Sequence, residues 1–185
     1  MGKGMKTTSC ALILGVLLTG TAGAYLNEGN SAPDFTLPTV NAGHTNSFTL
    51  SDALKHGPVV LYFFPPEVDL SCSAESQHLE LANSEFSEFF TTVVSVSTNE
   101  LDSLEQASQG CTEKFTVAAD PDRTVMQAYD ASFDSDYSAN TRIAYVISPS
   151  GDIIHVHQSG EPLAYIYDSV AAVQQWTVEN DAENY

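Results

Sequence analysis

The sequence predicts one α/β domain: a mixed central β-sheet with helices over both faces. Three observations carry that expectation. Short apolar, β-branched and aromatic runs occur at residues 58–64, 91–96 and 115–119. Between them lie segments whose apolar residues recur at three- and four-residue spacing, the helical period. Near the end, residues 142–147 and 152–157 flank Pro149-Ser150-Gly151, a hairpin signal that makes the sheet mixed rather than purely parallel. No internal repeat or low-complexity linker interrupts the order β-α-β-α-β-α-β-β-α.

A Pro/Gly/Asn-rich approach, residues 27–43, precedes the sheet and contains Ala32-Pro33-Asp34-Phe35-Thr36-Leu37. Short strands are expected at 35–37 and 47–50, and Ser51 with Asp52 is expected to cap one helical turn through Lys55. Residues 58–64 read as a buried central strand, because the run is short, continuously apolar and bounded by Gly57 and Pro65. Past Pro65 and Pro66, a polar loop leads to Ser71-Cys72-Ser73-Ala74-Glu75. A helix follows, marked by Leu79, Ala82, Phe86 and Phe89. Residues 99–109 read as a helix stopped by Gly110, and Asp120-Pro121-Asp122-Arg123 as a turn opening another. A last helix is expected over 162–176.

Length and charge narrow the function. A chain of 185 residues suits one domain, and 43% hydrophobic residues suit a packed core. The formal net charge of −18 is spread along the chain and repels phosphate backbones and anionic lipid, so a nucleic-acid partner is not expected. Residues 1–24 read as a secretory signal. Lys3 and Lys6 supply a basic start, residues 10–18 an apolar stretch, and Ala22-Gly23-Ala24 a small-residue cleavage site. That stretch is far shorter than the roughly 20 residues a membrane-spanning helix needs. Export, with the periplasm as destination, and a mature domain over 25–185 are the expectations; retention as an uncleaved anchor is the rival. Cleavage would leave Cys72 and Cys111 as the only cysteines, a pair that in an exported domain also reads as one structural disulfide.

Cys72 is the informative residue. It falls just past the C-terminal end of the first buried strand and at the start of the next helix, the edge where α/β sheets build their sites. Unpaired N–H groups and the helix dipole there favour a thiolate, which is the nucleophile. A half-cystine or an inert buried thiol is the competing reading. No Cys-x-x-Cys is present, which disfavours a disulfide exchanger, and neither a Gly-rich phosphate loop nor a Gly-x-Ser-x-Gly elbow occurs. His155-x-His157 alternates onto one strand face, the pattern of half a metal site, and Glu75-x-x-His78 gives a similar hint on a helix. Neither has a third ligand by spacing, and surface histidines explain both.

The run Pro65-x-x-x-Asp69-x-x-Cys72-x-x-Glu75, directly after 59–64, resembles the active-site segment of the peroxiredoxins, the AhpC/TSA redoxins. The bacterioferritin-comigratory, PrxQ-like branch is the nearest in flavour. Ala32-Pro33-Asp34-Phe35-Thr36-Leu37, Asp120-Pro121-Asp122-Arg123 with Ala128-Tyr129, and Thr141-Arg142-Ile143-Ala144-Tyr145-Val146-Ile147 with Gly151 are similar to further family segments, in the family's order. The resemblance implies a thioredoxin-like fold and a thiol peroxidase acting on hydrogen peroxide or organic hydroperoxides, needing no metal, haem or flavin. It implies Cys72 as peroxidatic nucleophile and Arg142 as donor to the thiolate and the peroxide oxygens; Arg142 as a surface or ion-pair residue is the bland alternative. Pro65 shields the sulfur, and Glu75 orients its neighbours. A thioredoxin-like or other thiol would be the reductant, and the protein would be a monomer or homodimer, with no membrane partner after cleavage.

Two positions depart from the pattern. Asp69 stands where the family has Thr or Ser, and a carboxylate there opposes thiolate formation and has no proton to donate. Ser71 or Ser73 would supply a hydroxyl if the loop shifts. Position 77, where branch members often carry the resolving cysteine, is Gln77; others carry it in the helix before the third strand, and the resemblance there implies Cys111, just after Gly110, as the resolving candidate. A one-cysteine mechanism with an external thiol and a spectator role for Cys111 stay open. Asp69 also leaves a second function open: a redoxin-fold binding or redox-sensing module with little turnover.

Overall fold

The computed structural model describes residues 26–64, 74–109, 115–131, 142–161 and 163–182. Seven strands form one sheet in the order β2-β1-β5-β4-β3-β6-β7. They are β1 Thr36–Asn41, β2 His44–Thr49, β3 Val59–Phe63, β4 Thr92–Ser97, β5 Thr116–Ala119, β6 Arg142–Ile147 and β7 Ile153–Ser159. The helices are α1 Leu50–Ala53, α2 Ala74–Glu88, α3 Leu101–Gln109, α4 Thr124–Ala128 and α5 Ala164–Ala182. β3, β4 and β5 run parallel, and β6 joins β3 antiparallel, so the sheet is mixed as expected.

The centre is set by β3, every residue of which is fully buried. Its alternate side chains feed two cores, as strand periodicity requires. Val59, Leu61 and Phe63 face one layer with Val125, Met126 and Tyr129 from α4 and its C-terminal end, and Leu50 from α1. Val60, Tyr62 and Phe64 face the other, with Leu79, Ala82 and Phe86 of α2 and Tyr165, Ile166, Val170 and Val173 of α5.

Three local readings need correction. Residues 36–37 and 47–49 are parts of a longer hairpin whose turn is Ala42-Gly43, both with positive φ (47° and 77°), while Phe35 precedes it and Leu50 opens α1. Such a turn matches the strand twist, and polar Thr, Asn and Ser had hidden the strands. At α1, neither Ser51 nor Asp52 caps: Asp34, far upstream in sequence, accepts the Ser51 N–H at 2.9 Å and the Phe35 N–H at 2.9 Å. Burial acts to raise the Asp34 carboxyl, but the Ser51 and Phe35 donors and the nearby Lys55 charge outweigh it, so its pKa lies below the usual value. Finally, α5 runs six residues beyond the expected end at Trp176.

The two proline- and aspartate-containing motifs have structural work. Asp120, 1% exposed, accepts from the Thr124 N–H (3.0 Å), the Thr124 hydroxyl (3.1 Å) and the Met126 N–H (2.9 Å). It therefore caps α4, whose N-cap residue Arg123 makes no side-chain cap and sits in the left-handed region. The helix delivers Tyr129, whose hydroxyl donates to the Pro33 carbonyl at 2.8 Å. Tyr145 in turn donates to the Tyr129 carbonyl at 2.7 Å. Burial above all, then the Asp34 charge and Tyr145, push the Tyr129 phenol far above its ordinary pKa.

Candidate active site

The site predicted from the sequence follows the C-terminal end of β3 along the chain. Of its residues, Arg142 is described in full. It opens β6 and is 6% exposed, which removes the surface alternative. The β3–β6 register pairs Phe63 with Ile143, so Arg142 stands one step further, level with the point where the chain leaves the sheet after Phe64. Ile143 and Tyr145 belong to the α4 core, Ala144 and Val146 to the α2/α5 core. Strand alternation therefore puts Arg142 on the face that α2 covers.

Chain direction closes the argument. The segment from Pro65 to Ser73 connects the C-terminal end of β3 to the start of α2 at Ala74. Pro65, Asp69, Cys72 and, elsewhere, Cys111 lie outside the described residues, as does the 1–24 segment. Glu75 belongs to the first turn of α2. The guanidinium is taken out of water on the sheet face that α2 and α5 share, where its permanent charge is weakly screened. It offers five fixed donors and a permanent charge, suited to holding a thiolate and an oxygen that gains charge.

The histidine hints resolve differently. His78 stands 3.3 Å from the Tyr167 hydroxyl through Nδ1, and no third ligand joins it among the described residues. His155 and His157, by contrast, meet Asp168 of α5. That residue was missed because it comes from a different element, and no spacing rule along β7 points to it.

A thioredoxin-like α/β architecture carrying a buried arginine beside a strand-to-helix crossover defines a redoxin. Solved structures agree on the fold: the peroxidoxin BcpB of Mycobacterium tuberculosis superposes with a TM-score of 0.68 at 22% identity, covering 82% of this chain and 98% of that one. The AhpC of the same organism gives 0.69 at 18%, covering 83% and 99%. The AhpC/TSA family profile matches residues 29–156, and the chain belongs to that family. A Coxiella burnetii protein named "Putative peroxiredoxin bcp" is 29% identical over 133 residues, 69% of this chain and 85% of its own length. A Helicobacter pylori protein of the same name is 31% identical over 106 residues, covering 57% and 67%. The protein is thus a peroxiredoxin, in the branch of the bacterioferritin-comigratory, PrxQ-like proteins.

Proposed function

We propose that the protein is an exported thiol peroxidase in which Cys72 reduces hydrogen peroxide or a small organic hydroperoxide. The observation that carries this reading is Arg142: buried, at the edge where the Cys72 segment leaves β3, and on the face of α2. The Cys72 thiolate attacks the distal peroxide oxygen, and the S–O bond forms as the O–O bond breaks. Arg142 stabilises the charge that develops on the departing oxygen, which takes a proton and leaves as water or alcohol. The sulfenic acid then condenses with a second thiol, Cys111 or an external one, losing water. A dithiol of the thioredoxin kind returns the disulfide to thiols, and is itself oxidised.

The test is stopped-flow oxidation of the pre-reduced protein by hydrogen peroxide, beside Cys72→Ser and Cys111→Ser. Oxidation far faster than a free thiol, abolished by Cys72→Ser alone, supports the enzyme. A sulfenic acid that persists in Cys111→Ser makes Cys111 the resolving residue. Oxidation no faster than a free thiol refutes the peroxidase reading and favours the redox-sensing module that Asp69 suggested.

A further inference from the structure

We infer that His155, His157 and Asp168 form a binding site for a divalent transition ion of the zinc type. One ring nitrogen from each histidine and one Asp168 carboxylate oxygen all lie within 4.8 Å of one another. The inference stands apart from the peroxidase reading, since none of the three residues belongs to that chemistry.

An irregularity in the β6–β7 ladder builds the site. Val146 pairs with His155 but Ile147 pairs with Ile153, so Ile154 is the extra residue of a β-bulge. Ile153 and Val156 both pack into the α4 core, whereas a regular strand would have put them on opposite faces. The bulge thereby turns both histidines, opposite Val146 and Ala144, toward the α2/α5 layer. Re-aiming side chains beside a functional site is a recurring use of bulges. From the facing helix α5, Asp168 brings its Oδ2 to 2.6 Å from His157 Nδ1.

The chemistry of the cluster points to a cation. Both rings present Nδ1 to a carboxylate, His155 to Glu28 Oε1 at 3.1 Å and His157 to Asp168. A carboxylate placed as Glu28 is orients a metal-bound imidazole and raises its basicity, while Asp168 is the oxygen that turns to the ion itself. Meanwhile Nε2 of His155 and Nε2 of His157 are each shut away from solvent with no hydrogen-bond partner. Buried polar atoms are nearly always partnered, so two orphaned imidazole nitrogens on neighbouring rings are unmet coordination capacity. Two nitrogens and one oxygen suit zinc and its borderline neighbours, with the fourth position left to water. Donors around tetrahedral zinc stand about 3.3 Å apart, so separations that all lie within 4.8 Å have to close by roughly 1.5 Å at most. The Asp168 side chain, 54% exposed, has room to make that movement.

The experiment titrates zinc chloride into the untagged full chain, with all thiols blocked by N-ethylmaleimide, against a chromophoric chelator. His155→Gln, His157→Gln and Asp168→Asn are measured alongside. One saturable equivalent is expected, weakened at least a hundredfold by either histidine change and about tenfold or more by Asp168→Asn. Cobalt chloride is expected to give the intense visible bands of a four-coordinate ion, lost in His157→Gln. Far-UV circular dichroism in chelator establishes that the variants fold; Asp168→Asn, at a half-exposed position, decides the matter if the histidine variants do not. Absence of saturable binding, or an affinity equal in wild type and all three variants, overturns the inference.

Discussion

Removing the Asp120 carboxylate is expected to destabilise the protein by about 3 kcal/mol. The magnitude follows from its three accepted hydrogen bonds. In Asp120→Ala the Met126 N–H remains buried without an acceptor, which costs roughly 1–3 kcal/mol. Thr124 is exposed and its N–H and hydroxyl turn to water, so their loss resembles that of a helix cap, about 1 kcal/mol. Asp120→Asn keeps one carbonyl oxygen but aims an amide at a donor, and should fall between wild type and Ala. Urea unfolding followed by Trp176 fluorescence measures the change. With a slope of about 2–3 kcal/mol per molar, the midpoint should drop by roughly 1–1.5 M. Thr124→Val should be non-additive with Asp120→Ala, because the two share bonds. A loss below about 1 kcal/mol for Asp120→Ala would refute the view that this carboxylate holds α4.

Gly57→Ala should cost about 2–3 kcal/mol in the same assay, because a Cβ there would lie 2.2 Å from the Phe90 carbonyl oxygen, a backbone atom that cannot turn aside; wild-type stability would contradict it. Alkali should unfold the protein from about pH 10 upward. Buried Tyr129 stays protonated in the fold while its unfolded counterpart ionises, so stability is intact below the unfolded pKa and falls by about 1.4 kcal/mol per pH unit above it. Tyr129→Phe should cost about 1 kcal/mol at neutral pH through the lost Pro33 bond, yet give a shallower alkaline decline; an unchanged slope in pH-dependent denaturation would refute the assignment. Arg142→Lys should slow peroxide oxidation of Cys72 by about a hundredfold or more and raise the pH at which the thiol is alkylated by iodoacetamide, since an ammonium lacks the guanidinium's fork of donors. A rate within threefold of wild type would remove Arg142 from the mechanism.

The sequence was most informative where packing and periodicity agree. β3 and β6 were placed within a residue because both faces of each strand are buried, and a short apolar run can be little else there. The placement of β6 put Arg142 at the strand's start, but only the fold shows it buried. Legibility failed where structure depends on partners distant in the chain. Asp34 caps α1 from 17 residues away, and β2 is a polar edge strand whose pairing with β1 no hydrophobic pattern announces. The His155-x-His157 alternation was visible, but which face it takes depends on the bulge at Ile154, and its third member depends on how α5 docks. Pro65, Asp69, Cys72 and Cys111 rest on the sequence and the family, as they lie outside the described residues.

The strand order also separates pairings local in the chain from distant ones. β3, β4 and β5 are parallel neighbours joined by α2 and α3 in direct succession, so they can associate as soon as the chain through Ala119 is present. β6 pairs with β3 across a sequence separation of about eighty residues, a closure that carries a larger loop entropy than the β3–β4 and β4–β5 pairings. The edge that Arg142 occupies does not exist before that closure. A nascent or partly folded chain thus leaves the Arg142 guanidinium in water, and that charge is taken out of solvent only once β6 lies against β3.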